Sequence, residues 1–167
     1  MTKNTYTPQQ VANFFLDKSE VEGLPMTQLK LLKLVYIAYG WVLALTDEKL
    51  FGEPIEAWQH GPVVESLYHE FKHFKKAPIT GRSEDVDLDS WEVVQPRIPE
   101  DDHDTVGILN KVWVAYRHFQ AWDLRNKTHE KDGPWDRVYV AGEHGITLKD
   151  EDICEHYRDR ITKYLAG

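Results

Sequence analysis

The chain has 167 residues, of which 41% are hydrophobic, and its formal net charge at pH 7 is −8. This length is enough for one compact core and short for two, so we expect a single domain over residues 1–167. The excess of acidic residues opposes binding to nucleic acid phosphates and favours a basic protein partner. The single cysteine, Cys154, excludes an internal disulfide and a thiolate-rich metal site.

Membrane and export signals are not expected. No apolar run approaches the roughly 20 residues needed to span a bilayer, because Lys30 and Lys33 interrupt the most apolar stretch. The first residues also lack the apolar region of a signal peptide. We therefore expect a cytoplasmic protein with no membrane partner.

Two helices are predicted near the start of the chain. Thr7 followed by Pro8 is typical of a helix start, and a break is expected at residues 23–25. Thr27 is expected to cap a longer helix with a wide apolar stripe. The stripe contains Leu29, Leu32, Lys33, Tyr36, Ile37, Gly40, Trp41 and residues 43–45. Its breadth predicts a central, mostly buried helix.

A small antiparallel sheet is predicted to lie against these helices. Residues 55–58 and 91–94 both alternate between apolar and polar side chains, so we expect them to pair. Pro62 is expected to start a helix that reaches about Lys76, and the acidic residues 78–89 are expected to form a mobile loop.

Three helical segments are predicted in the rest of the chain. The first begins near His103, the second covers residues 121–129, and the last is capped by Thr147 with Asp150. The expected fold class is mainly α: a compact helical domain with a small antiparallel β-hairpin or sheet.

Residues 69–73 match the zinc-binding pattern H-E-x-x-H. Placing Leu67 and Phe71 inward turns His69 and His73 towards water, and no third ligand follows convincingly. We expect neither a metal nor a cofactor here. The nearby Lys72, Lys75 and Lys76 are interpreted as a solvated face, with a phosphate site as the alternative.

Two Gly-Pro turns each carry a histidine and a tryptophan. The first combines Trp58 and His60 with Gly61 and Pro62, and the second combines His129 with Gly133, Pro134 and Trp135. A helix beginning at such a turn offers free N–H groups to an anion or to a partner's carboxylate. The alternative is a structural turn whose histidine bonds backbone carbonyls.

The order of these motifs resembles the Panacea domain, a family of antitoxins in type II toxin–antitoxin systems that includes the SocA-like antitoxins. The resemblance runs from about residue 7 to residue 165. It rests on a leucine-rich helix, on Ala57-Trp58-x-His60-Gly61-Pro62-Val63-Val64 with Leu67-Tyr68, and on Leu124-x3-Thr128-His129-x4-Pro134-Trp135.

The resemblance implies an antitoxin without enzymatic activity, of a kind often found in prophage or plasmid settings. It implies neutralisation of a cognate protein toxin by direct contact. The alternative mechanism is that of the SocA type, a proteolytic adaptor that delivers the toxin to an ATP-dependent protease. Many relatives carry an added DNA-binding module, and the chain has no spare length for one, so direct nucleic acid binding is not expected.

We expect the toxin-binding surface to join the two turns, because aromatic anchors beside hydrogen-bonding groups suit recognition. Its expected members are His60, Glu65, Tyr68, His129 and Trp135, and Trp122 is a further possible anchor. The other motif residues, expected to be structural, are Trp58, Gly61, Pro62, Val63, Thr128 and Pro134.

A hypothesis of a different class is an uncharacterised hydrolase that uses His60, His129 and a carboxylate such as Glu65 for acid–base chemistry. A closed pocket holding both histidines would favour the enzyme, and an open patch would favour the binding protein. The sequence sets no oligomeric state.

Overall fold

A long central helix, α2 (Gln28–Thr46), organises the part of the chain that the computed structural model describes, residues 5–167. Every residue from 30 to 43 is buried. The helix begins as expected at Thr27, whose side chain accepts a hydrogen bond from the Lys30 backbone N–H. A helix that is apolar on all sides must be covered on all sides, and the other helices do so.

By length and composition α2 could cross a bilayer, but 78% of its most apolar window is buried inside the fold. The expectation that no apolar stretch is long enough is therefore wrong. Lys30 and Lys33 leave the mean hydropathy of this stretch high enough to span a bilayer, and in the structure both are buried within the fold. Such burial is typical of the core helix of a soluble protein.

Five further α-helices surround or flank α2 within residues 5–167: α1 (Pro8–Glu22), α3 (Glu65–Phe71), α4 (His103–Tyr116), α5 (Ala121–Thr128) and α6 (Asp150–Ala166). A short 3-10 turn, Lys72–Phe74, follows α3. The predicted starts of α1, α2, α4 and α5 are confirmed. The mainly helical fold class with small antiparallel sheets is confirmed as well.

The pairing of the strands differs from the prediction. β1 (Glu56–Trp58) pairs with β2 (Gly61–Val63), and β3 (Asp85–Val86) pairs with β4 (Val93–Val94), both antiparallel. The predicted pairing of residues 55–58 with 91–94 is wrong, because each segment pairs with its own sequence neighbour, across residues 59–60 in the first hairpin and residues 87–92 in the second. The other edge of β1 meets residues 146–148, through bonds from Ala57 N to Ile146 O and from Leu148 N to Ile55 O, both of 2.8 Å.

Pro62 lies in β2 and does not start a helix, which is a second correction. It stands opposite Ala57, whose N–H points away from β2 to Ile146. The pair therefore needs no N–H from residue 62, and a proline is tolerated there. The following helix, α3, starts only at Glu65 and ends at Phe71, short of the predicted Lys76.

Residues 78–89 are not one irregular loop, since they contain β3 and a buried residue, Ser83. The predicted capping box of the last helix is also wrong. Lys149 occupies the N-cap of α6 without a side-chain cap bond, and Thr147 bridges to Glu56. Three acidic residues fill the first turn of α6, and one of them, Asp150, accepts a 2.8 Å hydrogen bond from the Tyr39 hydroxyl.

The crossing of α2 and α6 generates the first prediction. A Cβ atom at Gly40 would lie 2.2 Å from Tyr157 Cδ2, so we expect Gly40→Ala to be destabilising by about 1–3 kcal/mol despite the better helix propensity of alanine. Gly107→Ala is the matched control, because a Cβ atom added at Gly107 in α4 would have nothing within 4 Å, and it should gain stability. Urea unfolding measures both, and equal gains would contradict the close packing of α2 on α6.

Candidate recognition surface

The two Gly-Pro turns converge on one packed cluster, which we call the turn junction: the β1–β2 hairpin (residues 56–63) together with Lys33, Thr128, His129 and Trp135. Three hairpin carbonyls accept bonds from side chains of the other elements. Trp135 Nε1 donates to Trp58 O at 2.7 Å, and Lys33 Nζ donates to Pro62 O at 3.0 Å. The Nε2 atom of His129 lies 3.1 Å from Gln59 O. The hairpin is thus held by these side chains in addition to its pairing with residues 146–148.

Gly61 is required at the centre of this cluster. Its φ is +111°, a backbone conformation that residues with a side chain rarely adopt. A Cβ atom there would lie 2.8 Å from Lys33 Nζ, 2.9 Å from His129 Cε1 and 3.1 Å from Thr128 Oγ1. The close approach of the backbone to these groups therefore explains the glycine of the first turn.

Lys33 is the buried cation of the junction, only 1% exposed. Burial, with a smaller contribution from the charge of Arg125, lowers the pKa of its amine to about 7. An amine with this pKa is largely neutral in mildly alkaline solution, where it can still donate to Pro62 O. The core therefore holds a lysine that need not carry a charge.

His129 is held from both sides of its ring. Its Nδ1 atom lies 2.7 Å from Arg125 O, opposite the contact with Gln59 O, and its ring lies 4.0 Å from that of Trp135. Burial lowers the pKa of His129, while the two carbonyl bonds oppose the shift. Both nitrogens thus face backbone carbonyls, and the neutral ring, which has one N–H, donates to one of them at a time.

A surface cleft of about 740 Å³ opens beside the junction, between the start of α2, the hairpin, α3 and the start of α5. Its apolar walls include Leu29, Leu32, Trp58, Tyr68 and Trp122. Mostly apolar clefts of this size, with a few polar groups, are the usual sites at which proteins bind ligands.

The aromatic side chains of the cleft are held in place by their neighbours. The Tyr68 ring packs edge-on against Trp58, with 4.8 Å between ring centroids. Trp122 is 57% exposed, and the Arg125 guanidinium lies 4.4 Å above its ring. This stacking presents the indole at the mouth of the cleft without burying it.

The ionisable residues that line the cleft, apart from Tyr68, are all basic: Lys33, His60, Lys75 and Lys76. No Asp or Glu is among its lining residues in the part of the chain that the structure describes. For a chain with net charge −8, this local sign is the reverse of the average. The cleft therefore suits an apolar segment that carries carboxylates.

Comparison with known proteins places the chain in a family. The model of the family described as Antitoxin SocA-like, Panacea domain, matches residues 31–136, and Antitoxin SocA of Caulobacter vibrioides (strain NA1000 / CB15N) is 31% identical over 155 residues, covering 89% of this chain and 80% of that protein. The chain belongs to the SocA-like Panacea antitoxin family. No solved structure matches it.

The segment that matches the Panacea family contains the whole turn junction and all residues that line the cleft except Thr27, Gln28 and Leu29. The resemblance inferred from the motifs is confirmed. The motif residues Trp58, Gly61 and Thr128 lie in or against the junction, and Pro62 contributes the carbonyl that Lys33 binds.

The five residues expected to bind the toxin are divided by the structure. His60 and Tyr68 line the cleft, and Glu65 is exposed on α3 outside its lining. His129 and Trp135 instead bond hairpin carbonyls in the junction. In this Panacea protein the two turns thus converge in space, but only the first one contributes side chains to the cleft.

The position in the junction that the sequence does not reveal is the buried amine of Lys33, because the residue is interpreted there as part of the apolar stripe of α2. A lysine amid buried apolar residues is the available signal. Lys75 and Lys76, interpreted from the sequence as a solvated face, both border the cleft.

The H-E-x-x-H segment is split between two elements, since His69 lies in α3 and His73 in the 3-10 turn. Both histidines are exposed, as the facing argument predicts. Within residues 5–167 no group of three or more His, Cys, Asp or Glu side chains is placed to hold a metal ion.

The two histidines of the hydrolase hypothesis do not share a closed pocket. His60 lines the cleft and is exposed, whereas His129 lies outside the lining with its nitrogens on backbone carbonyls. By the criterion set from the sequence, this geometry favours a binding surface, in agreement with membership of an antitoxin family.

The burial of Lys33 generates the second prediction. Its folded pKa of about 7 lies below the unfolded value of 10.5, so between these pH values the unfolded chain binds more protons and stability rises with pH. Lys33→Met should remove up to about 1.4 kcal/mol per pH unit from this rise. Urea unfolding between pH 7.5 and about 9 tests it below the titration range of tyrosine.

Lys111→Met, on the exposed side of α4, is the control and should leave the slope unchanged. Equal slopes in the wild type and in Lys33→Met would show that the buried amine does not lose its proton on folding.

Proposed function

We propose that this protein is an antitoxin that neutralises a cognate protein toxin by direct contact, and that the basic-rimmed cleft is the contact surface. The observation that carries the proposal is the pair of fixed aromatic walls, Trp122 over Arg125 and Trp58 against Tyr68, beside lysines in an acidic chain. Tryptophan, tyrosine and arginine are the residues that most often dominate binding energy at interfaces.

The order of the cleft supports binding over catalysis. An aromatic side chain held before the partner arrives loses little conformational freedom on association, which leaves more of the contact energy for affinity. The lysines at the rim would attract a carboxylate-bearing segment and fix its orientation. A segment of this kind from the active site of the toxin would be held in the cleft and could no longer act on the toxin's target.

The turn junction has an indirect part in this proposal. His129 contacts the carbonyl of Gln59, and Trp135 donates to the carbonyl of Trp58. The next residue along the hairpin is His60, which lies at the edge of the cleft. Substitutions at His129 or Trp135 are therefore expected to reduce binding by loosening the hairpin. His60, Tyr68 and Glu65 remain the proposed direct contacts from the first turn and α3.

The remaining parts of the proposal follow from charge and family. A net charge of −8 opposes direct binding to nucleic acid, and we place the protein in the cytoplasm with its toxin. A second mechanism, delivery of the toxin to an ATP-dependent protease, would use the same primary contact and add a docking surface for the protease.

The third prediction tests the cleft in cells that express the toxin encoded beside this gene. Tyr68→Ala or Trp122→Ala should abolish rescue from the toxin and weaken the purified complex about thirtyfold or more, as expected for loss of about 2 kcal/mol at an aromatic anchor. Isothermal titration calorimetry gives the affinity. The abundance of the toxin in the rescued cells separates occlusion from proteolytic delivery, because only delivery lowers it.

Tyr164→Ala is the matched control, since Tyr164 is an exposed tyrosine on α6, away from the cleft. It should rescue fully. Melting curves of all three variants must stay close to the wild type for the comparison to hold. Full rescue by folded Tyr68→Ala and Trp122→Ala would move the toxin contact elsewhere.

A further inference from the structure

An exposed apolar and acidic hairpin, which we call the acidic arm (residues 84–95), projects from the helical body. It contains β3 and β4 and has five large apolar side chains that are exposed: Val86, Leu88, Trp91, Val93 and Val94. Trp91 and Leu88 are each 77% exposed. A cluster of this kind on a soluble chain is typical of a contact surface.

The base of the arm is fixed to α1. The buried Asn13 side chain donates to Ser83 O at 3.0 Å and to Pro96 O at 2.9 Å, so one amide clamps both ends of the arm. On the surface, Asp17 pairs with Arg82 and Arg97, each at 2.7 Å. The arm is therefore presented in one direction by ordered contacts.

The tip of the arm is ordered as well. The Asp87 carboxylate accepts bonds from the backbone N–H groups of Asp89 and Ser90, which lowers its pKa, and Trp91 N donates to Asp87 O at 2.7 Å. Trp91 has a φ of +61°, a conformation that is uncommon for a bulky residue. The turn thus holds the indole outward at some conformational cost, and such outliers cluster at functional positions.

The charge of the arm is the opposite of the charge of the cleft. The arm has five acidic residues and no basic one, whereas the lysines exposed at the rim of the cleft are Lys75 and Lys76. Both surfaces also present tryptophan: Trp91 on the arm, Trp58 and Trp122 in the cleft. The combination of carboxylates and exposed apolar side chains that suits the cleft is therefore found on this chain itself.

We propose that the acidic arm of one copy docks in the basic-rimmed cleft of a second copy. No residue of the arm lines the cleft of its own chain, so the contact would form between molecules. A cleft of about 740 Å³ lies within the range of about 300–1,000 Å³ that accommodates drug-sized groups, which leaves room for the Trp91 indole and the Leu88 side chain. Repulsion between the net charges is screened beyond about 8 Å at physiological ionic strength, so local complementarity decides.

Docking of this kind covers the cleft. Because Trp91 would occupy the space between Trp58 and Trp122, a copy engaged by another arm would offer no free cleft to any other partner. Self-association and partner binding would then compete, and dilution or an excess of partner would release the cleft by mass action.

A charge exchange between two variants of the full chain tests the proposal without any other protein. Glu84→Lys, Asp89→Lys and Glu92→Lys together give an arm with three lysines and two remaining carboxylates, and Lys75→Glu with Lys76→Glu gives an acidic rim. The bonds at the tip use the Asp87 carboxylate and none of the three that are replaced. Sedimentation equilibrium should show reversible association of the wild type and at least a roughly tenfold weaker association of each variant alone. An equimolar mixture of the two variants should associate again, since the basic arm of one variant then meets the acidic rim of the other.

Removal of the anchor gives a second readout. Trp91→Ser should weaken self-association about thirtyfold or more, whereas Leu165→Ser, a similarly exposed apolar site on α6, should not change it. A wild-type chain that stays monomeric at about 100 µM or above would overturn the proposal. So would an association that persists in the single variants, or a mixture that fails to associate although both variants keep the helical circular dichroism of the wild type.

Discussion

The hydrogen bond from Lys33 Nζ to Pro62 O, inside the core, is the contact on which the rest of the candidate recognition surface depends. A two-stranded hairpin is marginal in water on its own. Here one edge of β1 is covered by residues 146–148, and the free carbonyl of β2 is covered by the amine of α2. The side chain of a core helix thus takes the place of the neighbouring strand that β2 lacks.

Burial of a charged lysine is unfavourable, and the lowered pKa of the amine reduces this cost. A buried ammonium without a carboxylate would be strongly unfavourable, and burial accordingly lowers the pKa of Lys33 to about 7, which favours the neutral amine above that pH. The amine then ties the position of α2 to that of the hairpin. Because Leu29 and Leu32 of α2 and Trp58 of the hairpin form walls of the cleft, the same bond also links two of its walls.

The helices and the family are predictable from the sequence because their signals are local. Thr7, Thr27 and Pro8 act on the turn in which they stand, and the apolar stripe of α2 repeats within one element. The motif order around Gly61 and Pro134 identifies the family for the same reason. The strand pairing is not predictable, because it depends on which segment lies against each edge of β1. The sequence contains no sign that residues 146–148 take one of these edges.

The recognition surface is predictable only in part, and the missing part is a matter of orientation in space. A histidine beside a Gly-Pro turn has the same sequence signature whether its ring faces a cleft, as that of His60 does, or lies between two backbone carbonyls, as that of His129 does. Likewise, a lysine on the stripe of a core helix can only be recognised as buried once the covering helices are known. Tyr68 can be placed beside the first turn from the sequence, because α3 follows that turn directly.

The contacts that shape the cleft and the groups that would choose its partner belong to different sets of residues. Lys33, Gly61 and His129 are surrounded by backbone and by one another, so that a Cβ atom at Gly61 would have no space. Trp122, Lys75 and Lys76 are exposed at the rim, and their replacement would disturb no buried hydrogen bond. A chain that preserves the first set can therefore change the second and meet a different partner with the same fold. This separation explains in physical terms why the residues that define the Panacea motif lie mainly in the turn junction, while most of the side chains proposed to set specificity lie outside it.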